Sequence, residues 1–120
     1  MKKLVMFGAL ALSMLSLTAV AEDAKPIRLG IEAGYPPFSM KTPDGKLTGF
    51  DVDIANALCE EMKAKCTWVK QEWDGMIPAL AARKFDMIVA SMTLSPERRK
   101  VLDFSDPYYD IPSRFVAKAG

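Results

Sequence analysis

The chain has 120 residues, a formal net charge of +1 and no histidine. Near-neutral charge without a basic stripe or basic helix leaves no electrostatic case for nucleic-acid binding, and the missing imidazole removes Ser-His and Cys-His pairs and HExxH sites. Half of the residues are hydrophobic and 26% are charged, which is the composition of one small globular domain rather than of a disordered chain.

Met1-Lys2-Lys3 is a basic start, residues 4–18 are an apolar run, and Ala19-Val20-Ala21 is a small-x-small cleavage site followed by Glu22-Asp23. The pattern predicts a signal peptide over 1–21 and a mature chain of 99 residues, with 14 basic against 15 acidic once Lys2 and Lys3 are gone. The competing reading, an uncleaved anchor, fits less well: the run is short of the ~20 apolar residues of a membrane span. Export implies a periplasm, where disulfides form.

Residues 27–31 (IRLGI) read as a strand, and 32–39 as a loop that Gly34, Pro36 and Pro37 keep from being helical. Thr42-Pro43-Asp44-Gly45-Lys46 is a turn. A helix is predicted over about 51–63, with Asp51 as N-cap and Ile54, Leu58 and Met62 as its apolar stripe. Residues 66–70 form a second strand. A second helix, capped by Asp74, runs to about Lys84 with Ile77, Leu80 and Ala81 inward; Pro78 is tolerated only in its first turn. Residues 86–91 are a third, doubly buried strand. Ser95-Pro96-Glu97 opens a short helix ending near Leu102, with Ser95 as cap and Pro96 at the first helical position. An aromatic loop over 104–112 leads to a last strand at 114–118.

This order predicts an open parallel α/β sheet with helices on both faces and a ligand at the strands' carboxyl ends. Cys59 and Cys66 are seven apart, ~10.5 Å along one continuous helix. A bridge between them, which tolerates Cα separations of only ~4.4–6.8 Å, requires the helix to stop and the chain to turn back. The alternative is two small buried hydrophobes; export favours the bridge.

Ser91, Thr93 and Ser95 offer hydroxyls ahead of Arg98 in the first turn of a helix, a combination suited to a carboxylate. The competing reading is a plain cap and a solvated arginine. Glu32 followed by Tyr35 suits a cation and its apolar stem, with Trp73 as a further stacking ring; taken alone, each is more often structural, a surface acid, a half-buried tyrosine and a core ring. Asp103 to Tyr109 holds two carboxylates and two phenols, but as packed loop chemistry. No GxSxG, phosphate loop or nucleotide-binding glycine pattern is present. No catalytic residue, metal site or cofactor is predicted.

Four stretches carry a resemblance: IRLGIEAGYPPFSM at 27–40, GKLTGFDVDIANALCEEM at 45–62, WDGMIPALAARKFDMIVASMTLSPERRKVLDFSDPYY at 73–109, and SRFVAK at 113–118. Together they resemble the polar-amino-acid family of periplasmic binding proteins, in particular the lysine/arginine/ornithine and histidine binders of solute-binding protein family 3. The resemblance implies a type II periplasmic-binding-protein fold, two α/β lobes closing like a clamshell. Here it covers one incomplete lobe, residues 22–112, with 113–120 beginning the first interlobe crossing strand.

It also implies the Cys59–Cys66 disulfide. By position, Arg98 matches the α-carboxylate arginine, Thr93 its hydroxyl partner, and Ser91 an α-ammonium contact. Tyr35 and Trp73 match the rings that sandwich the stem, and Glu32 the acid at the distal nitrogen. Ala90 stands where some members carry serine. The implied function is non-enzymatic capture of a basic amino acid (arginine, ornithine, lysine or histidine) for an inner-membrane ABC permease, by a protein that is periplasmic and monomeric when full length. The alternatives are a cyclohexadienyl-dehydratase-like enzyme on the same fold, or a fragment without activity.

Overall fold

The computed structural model describes residues 25–120; the expected signal peptide lies outside the described residues. Strand β1 (Ile27–Ile31) is central in a three-stranded parallel sheet, flanked by β5 (Cys66–Lys70) and β6 (Met87–Ile88). Its register pairs Ile27 with Cys66 and Ile31 with Lys70 on one side, and Leu29 with Met87 and Gly30 with Ile88 on the other. Backbone bonds from Gln71 to Ile31 and from Val89 to Gly30 continue each pairing past the strand ends.

Alternation along β1 divides the core into two faces. Leu29 packs with Ala55, Cys59 and Val89 beneath helix α1 (Phe50–Glu61). On the opposite face Phe85 and Ala90 pack with Met76 and Ala79 of helix α2 (Met76–Ala81). Gly30 is what lets Phe85 pack close against the sheet, because a Cβ there would stand 2.6 Å from the Phe85 ring. The expected α/β class, a parallel sheet with helices on both faces, is the observed one.

A second, antiparallel sheet of β2 (Gly34–Tyr35), β3 (Ser39–Lys41) and β4 (Leu47–Thr48) grows out of the loop after β1. The expected turn at 42–46 closes its β3–β4 hairpin, with Gly45 at φ 83° and Thr42 bonded to Lys46 through backbone and hydroxyl.

Several expectations are corrected. The cap of α1 is Gly49, at φ 124° and so close to the Phe38 carbonyl that a side chain has no room. The carbonyls of Pro37 and Phe38 accept from the N–H groups of Phe50 and Asp51, so no side-chain cap is needed. Asp51 is instead inside the helix and fully buried. The buried stripe of α1 is Asp51, Val52, Ala55 and Cys59; Leu58 and Met62 are half-exposed. Both α1 and α2 end in a left-handed residue, Lys63 at φ 52° and Arg83 at φ 56°. Bonds from Ala64 to Cys59 and from Lys84 to Ala79 close each helix end. Consequently α2 stops at Ala81, short of Lys84, and Ala81 is exposed. Asp74 lies in a 3₁₀ turn (Trp73–Gly75) and caps nothing through its side chain, while Pro78 does fall in the first turn of α2.

Strand β6 is two residues long and an edge, with Met87 exposed, not a doubly buried strand over 86–91. Residues 114–118 form no ladder: among the described residues no strand lies beside them, and Phe115 and Val116 are fully exposed. The reversal required for a bridge is present. Cys59 and Cys66 are joined, 6.2 Å apart at Cα, across the Lys63 turn.

The amino ends of β1 and β6 are tied by a two-point ion pair. Arg28 donates from Nη2 to Asp86 Oδ1 at 2.8 Å and from Nε to Oδ2 at 3.1 Å, and its backbone N–H also reaches Oδ2. These bonds from Arg28 lower the Asp86 carboxyl to about 2. A depressed carboxylate stabilises the fold above its unfolded value of 3.8 and loses that contribution as pH falls through about 2. Asp86→Asn is therefore expected to flatten the loss of stability between pH 4 and pH 2, read as the urea midpoint at each pH. Equal acid sensitivity in both proteins would contradict this.

Candidate functional site

The carboxyl ends of three parallel strands meet on one side of the sheet, and each delivers a segment there. Strand β1 delivers Glu32 and the loop to Tyr35, β5 delivers 71–75 with Trp73, and β6 delivers Ala90, Ser91 and the path to Arg98. This is where open parallel sheets place ligands.

The β6 segment is held by hydrogen bonds of its own. Ser95 caps α3 (Pro96–Arg99), its hydroxyl accepting from the Arg98 N–H at 3.2 Å, and Pro96 opens the helix as expected. The helix has four residues, not the longer element expected to 102, so its dipole contributes little and the guanidinium carries the positive charge. Arg98 Nη1 donates to the Thr93 carbonyl at 2.6 Å, and its guanidinium carbon lies 5.5 Å from the centre of the Trp73 ring. The structure thus brings Trp73, Thr93 and Arg98 together. Among the described residues one donor of the Arg98 guanidinium is used, and the rest of its fork is available to an anion.

Ser91 sits in the left-handed region at φ 47°. Its hydroxyl donates to Asp51 Oδ1 at 2.8 Å, and its N–H donates to the Tyr108 hydroxyl at 3.2 Å. Tyr108 in turn donates to the same Asp51 oxygen at 2.9 Å. Burial, reinforced by the bond to Asp51, raises the Tyr108 phenol above its ordinary value. The second oxygen of Asp51 has no hydrogen-bond partner among the described residues.

Tyr35 is half-exposed and stacks on Phe38, centroids 5.2 Å apart. Phe38 continues through Phe50 and Tyr109 into an aromatic cluster that also includes Tyr108. Glu32 borders a recess of about 140 Å³ beside Gly34, Lys70, Gln71 and Glu72. Ala90 is buried against Met76, Ala79 and Phe85, so its methyl belongs to the core. A larger recess of about 520 Å³ lies at the opposite end of the sheet, between Lys25, Arg28, Thr67 and Asp86. Its Arg28 and Asp86 are already paired with each other, and none of the expected site residues borders it.

Two residues at the site, Asp51 and Tyr108, were not expected there. For Asp51 a signal existed: it stands four and eight residues before Ala55 and Cys59, on the face that a Cys59–Cys66 bridge turns towards the sheet. Tyr108 carried none. Among the described residues no cluster of potential metal ligands occurs, and no helix is long and apolar enough to cross a membrane.

The sequence model of the bacterial extracellular solute-binding proteins, family 3, matches residues 27–120, and the chain belongs to that family. It is 64% identical over 120 residues to the L-arginine-binding protein of Pseudomonas aeruginosa, covering all of this chain and 46% of that protein. The chain therefore spans about half the length of that curated relative. Among solved structures it is similar to an ancestral amino-acid-binding protein described as a precursor of cyclohexadienyl dehydratase, at 50% identity and TM-score 0.67, over 70% of this chain and 37% of that one. It is likewise similar to the arginine-bound form of a point mutant of domain 1 from TmArgBP, at 40% identity and TM-score 0.67, over 70% of this chain and 65% of that one.

The Ser95 cap fixes where Arg98 points. Ser95→Ala is expected to raise amide hydrogen exchange roughly fivefold over 96–102, in keeping with the ~1 kcal/mol of a lost cap, and to leave β1 and β5 unchanged. Unaltered exchange in that segment would show that the cap does not hold it.

Proposed function

We propose that the chain supplies one lobe's share of the binding site of an exported protein that captures a basic amino acid, arginine foremost, and passes it to an inner-membrane ABC permease. The observation that carries this reading is Arg98, on the segment after β6, held by Thr93 and Trp73, with Glu32 on the segment that leaves the carboxyl end of β1. A guanidinium at one side and a carboxylate at the other complement the two ends of a basic amino acid. Arg98 takes the α-carboxylate with Thr93 beside it, Ser91 meets the α-ammonium, Tyr35 and Trp73 flank the stem, and Glu32 receives the distal cation. Ala90 contributes backbone only, because its side chain is in the core.

The signal peptide over 1–21 sends the protein to the periplasm. Residues 22–112 belong to the first lobe, and 113–120 enter a crossing strand that pairs in the full-length, monomeric protein. An L-arginine-binding relative supports arginine, and a lone domain 1 that holds arginine supports binding by one lobe.

The reading includes no catalysis. A second reading, dehydration of a carboxylate substrate, has one specific support: the described ancestry of a cyclohexadienyl dehydratase from a binder of this fold. Prephenate incubated with the protein is expected to come back unchanged; release of an aromatic product would favour the second reading.

With one lobe, ligand contacts stay wet, and exposed ion pairs are worth only ~0–1 kcal/mol each. Calorimetric titration of the chain with L-arginine is expected to give one site of about millimolar affinity, on the order of −4 kcal/mol, abolished by Arg98→Ala. Absence of any arginine binding, or an Arg98→Ala variant that binds as before, would overturn the proposal.

A further inference from the structure

We infer that Asp51 is a positioning residue that turns Ser91 into a pure acceptor, so that this corner of the site reads an ammonium and rejects a carboxylate. The inference rests on the proposed amino-acid site and names a specificity element within it.

A serine offers the site two donors, its hydroxyl proton and its backbone N–H, together with hydroxyl lone pairs and a carbonyl. Both donors of Ser91 are consumed. The hydroxyl proton goes to Asp51 Oδ1 at 2.8 Å and the N–H goes to the Tyr108 oxygen at 3.2 Å. Tyr108 gives its own proton to the same carboxylate oxygen at 2.9 Å, so one buried atom orients both hydroxyls. Only acceptors remain on Ser91 for a ligand. Arg98 is the converse, a group with donors and no acceptor.

Ser91 and Arg98 are seven residues apart on one segment, and the two polarities define the order in which the α-ammonium and α-carboxylate can lie. The left-handed backbone at Ser91, φ 47°, is a conformation that non-glycine residues enter at a cost, and the bonds to Asp51 and Tyr108 hold it. Asp51 reaches this point because it shares the inward face of α1 with Ala55 and Cys59.

The test compares three ligands by titration: L-arginine, agmatine (which lacks the carboxylate) and 5-guanidinopentanoic acid (which lacks the ammonium). Asp51→Ala frees the Ser91 proton. It is expected to reduce the preference for arginine over 5-guanidinopentanoic acid about tenfold, the worth of a hydrogen bond to a charged group, while the preference over agmatine stays as it was. Asp51→Asn keeps an acceptor oxygen and is expected to retain the preference.

A general weakening by Asp51→Ala that is equal for all three ligands would mean a merely structural role and overturn the inference. Loss of the preference in Asp51→Asn as well would overturn it too, because the carboxylate charge would then act on the ligand directly. If Asp51→Ala does not fold by circular dichroism, Ser91→Ala takes its place: a tenfold fall confined to the ammonium comparison supports the inference, and an unchanged preference overturns it. If the unaltered chain binds none of the three ligands, the proposed function fails first and the inference with it.

Discussion

Everything at the candidate site depends on β1 being bonded on both edges. With β5 and β6 parallel to it and in fixed register, three carboxyl ends must emerge at the same level of the sheet. The segments that follow have no choice but to share one surface. The centre of that sheet is made possible by a missing side chain: Gly30 leaves the space that the Phe85 ring fills, and Phe85 in turn roofs Met76, Ala79 and Ala90. Ala90 is buried in that cluster, which sets the starting point for Ser91.

The other face supplies the second half of the arrangement. Helix α1 is fastened at both ends, by the carbonyls of Pro37 and Phe38 at its start and by the Cys59–Cys66 bridge near its finish. Between these points one face meets the sheet, and Asp51 comes with it. A buried carboxylate is tolerated only where donors meet it. Ser91 and Tyr108 are those donors, so a residue of the core and residues of the site are joined by one oxygen atom.

The parallel sheet, the turn at 42–46, the α3 cap and the chain reversal at the cysteines were legible because each rests on local chemistry: alternation, Pro and Gly dihedrals, a serine before a proline, the reach of a disulfide. The helical stripe of α1 was misread because two stripes compete. Ile54, Leu58 and Met62 are larger and more apolar than Ala55 and Cys59, yet the bridge to Cys66 decides which face turns inward. The ends of α2 and the length of β6 were not legible, since a left-handed arginine and an open sheet edge have no composition signal. Residues 114–118 carry strand-forming side chains, but a strand also needs a bonded neighbour, and among the described residues none lies beside them. Of the candidate residues, Thr93 and Arg98 stand together in one sequence segment, whereas Trp73, which the sequence groups with Glu32 and Tyr35, meets Arg98 only in the folded chain, and the linkage from Ser91 through Asp51 to Tyr108 spans separations of 40 and 57 residues and is visible only once the sheet has formed.

The central claim is that the ligand lies at the carboxyl ends of the sheet and not in the larger recess at its amino ends. Amide chemical-shift mapping of the isotopically labelled chain during an L-arginine titration tests it most directly. The account predicts shifts concentrated at 32–35, 71–75 and 90–98, with those of Arg28, Thr67 and Asp86 unmoved. Shifts centred on Arg28, Thr67 and Asp86, with Ser91 and Arg98 silent, would contradict it.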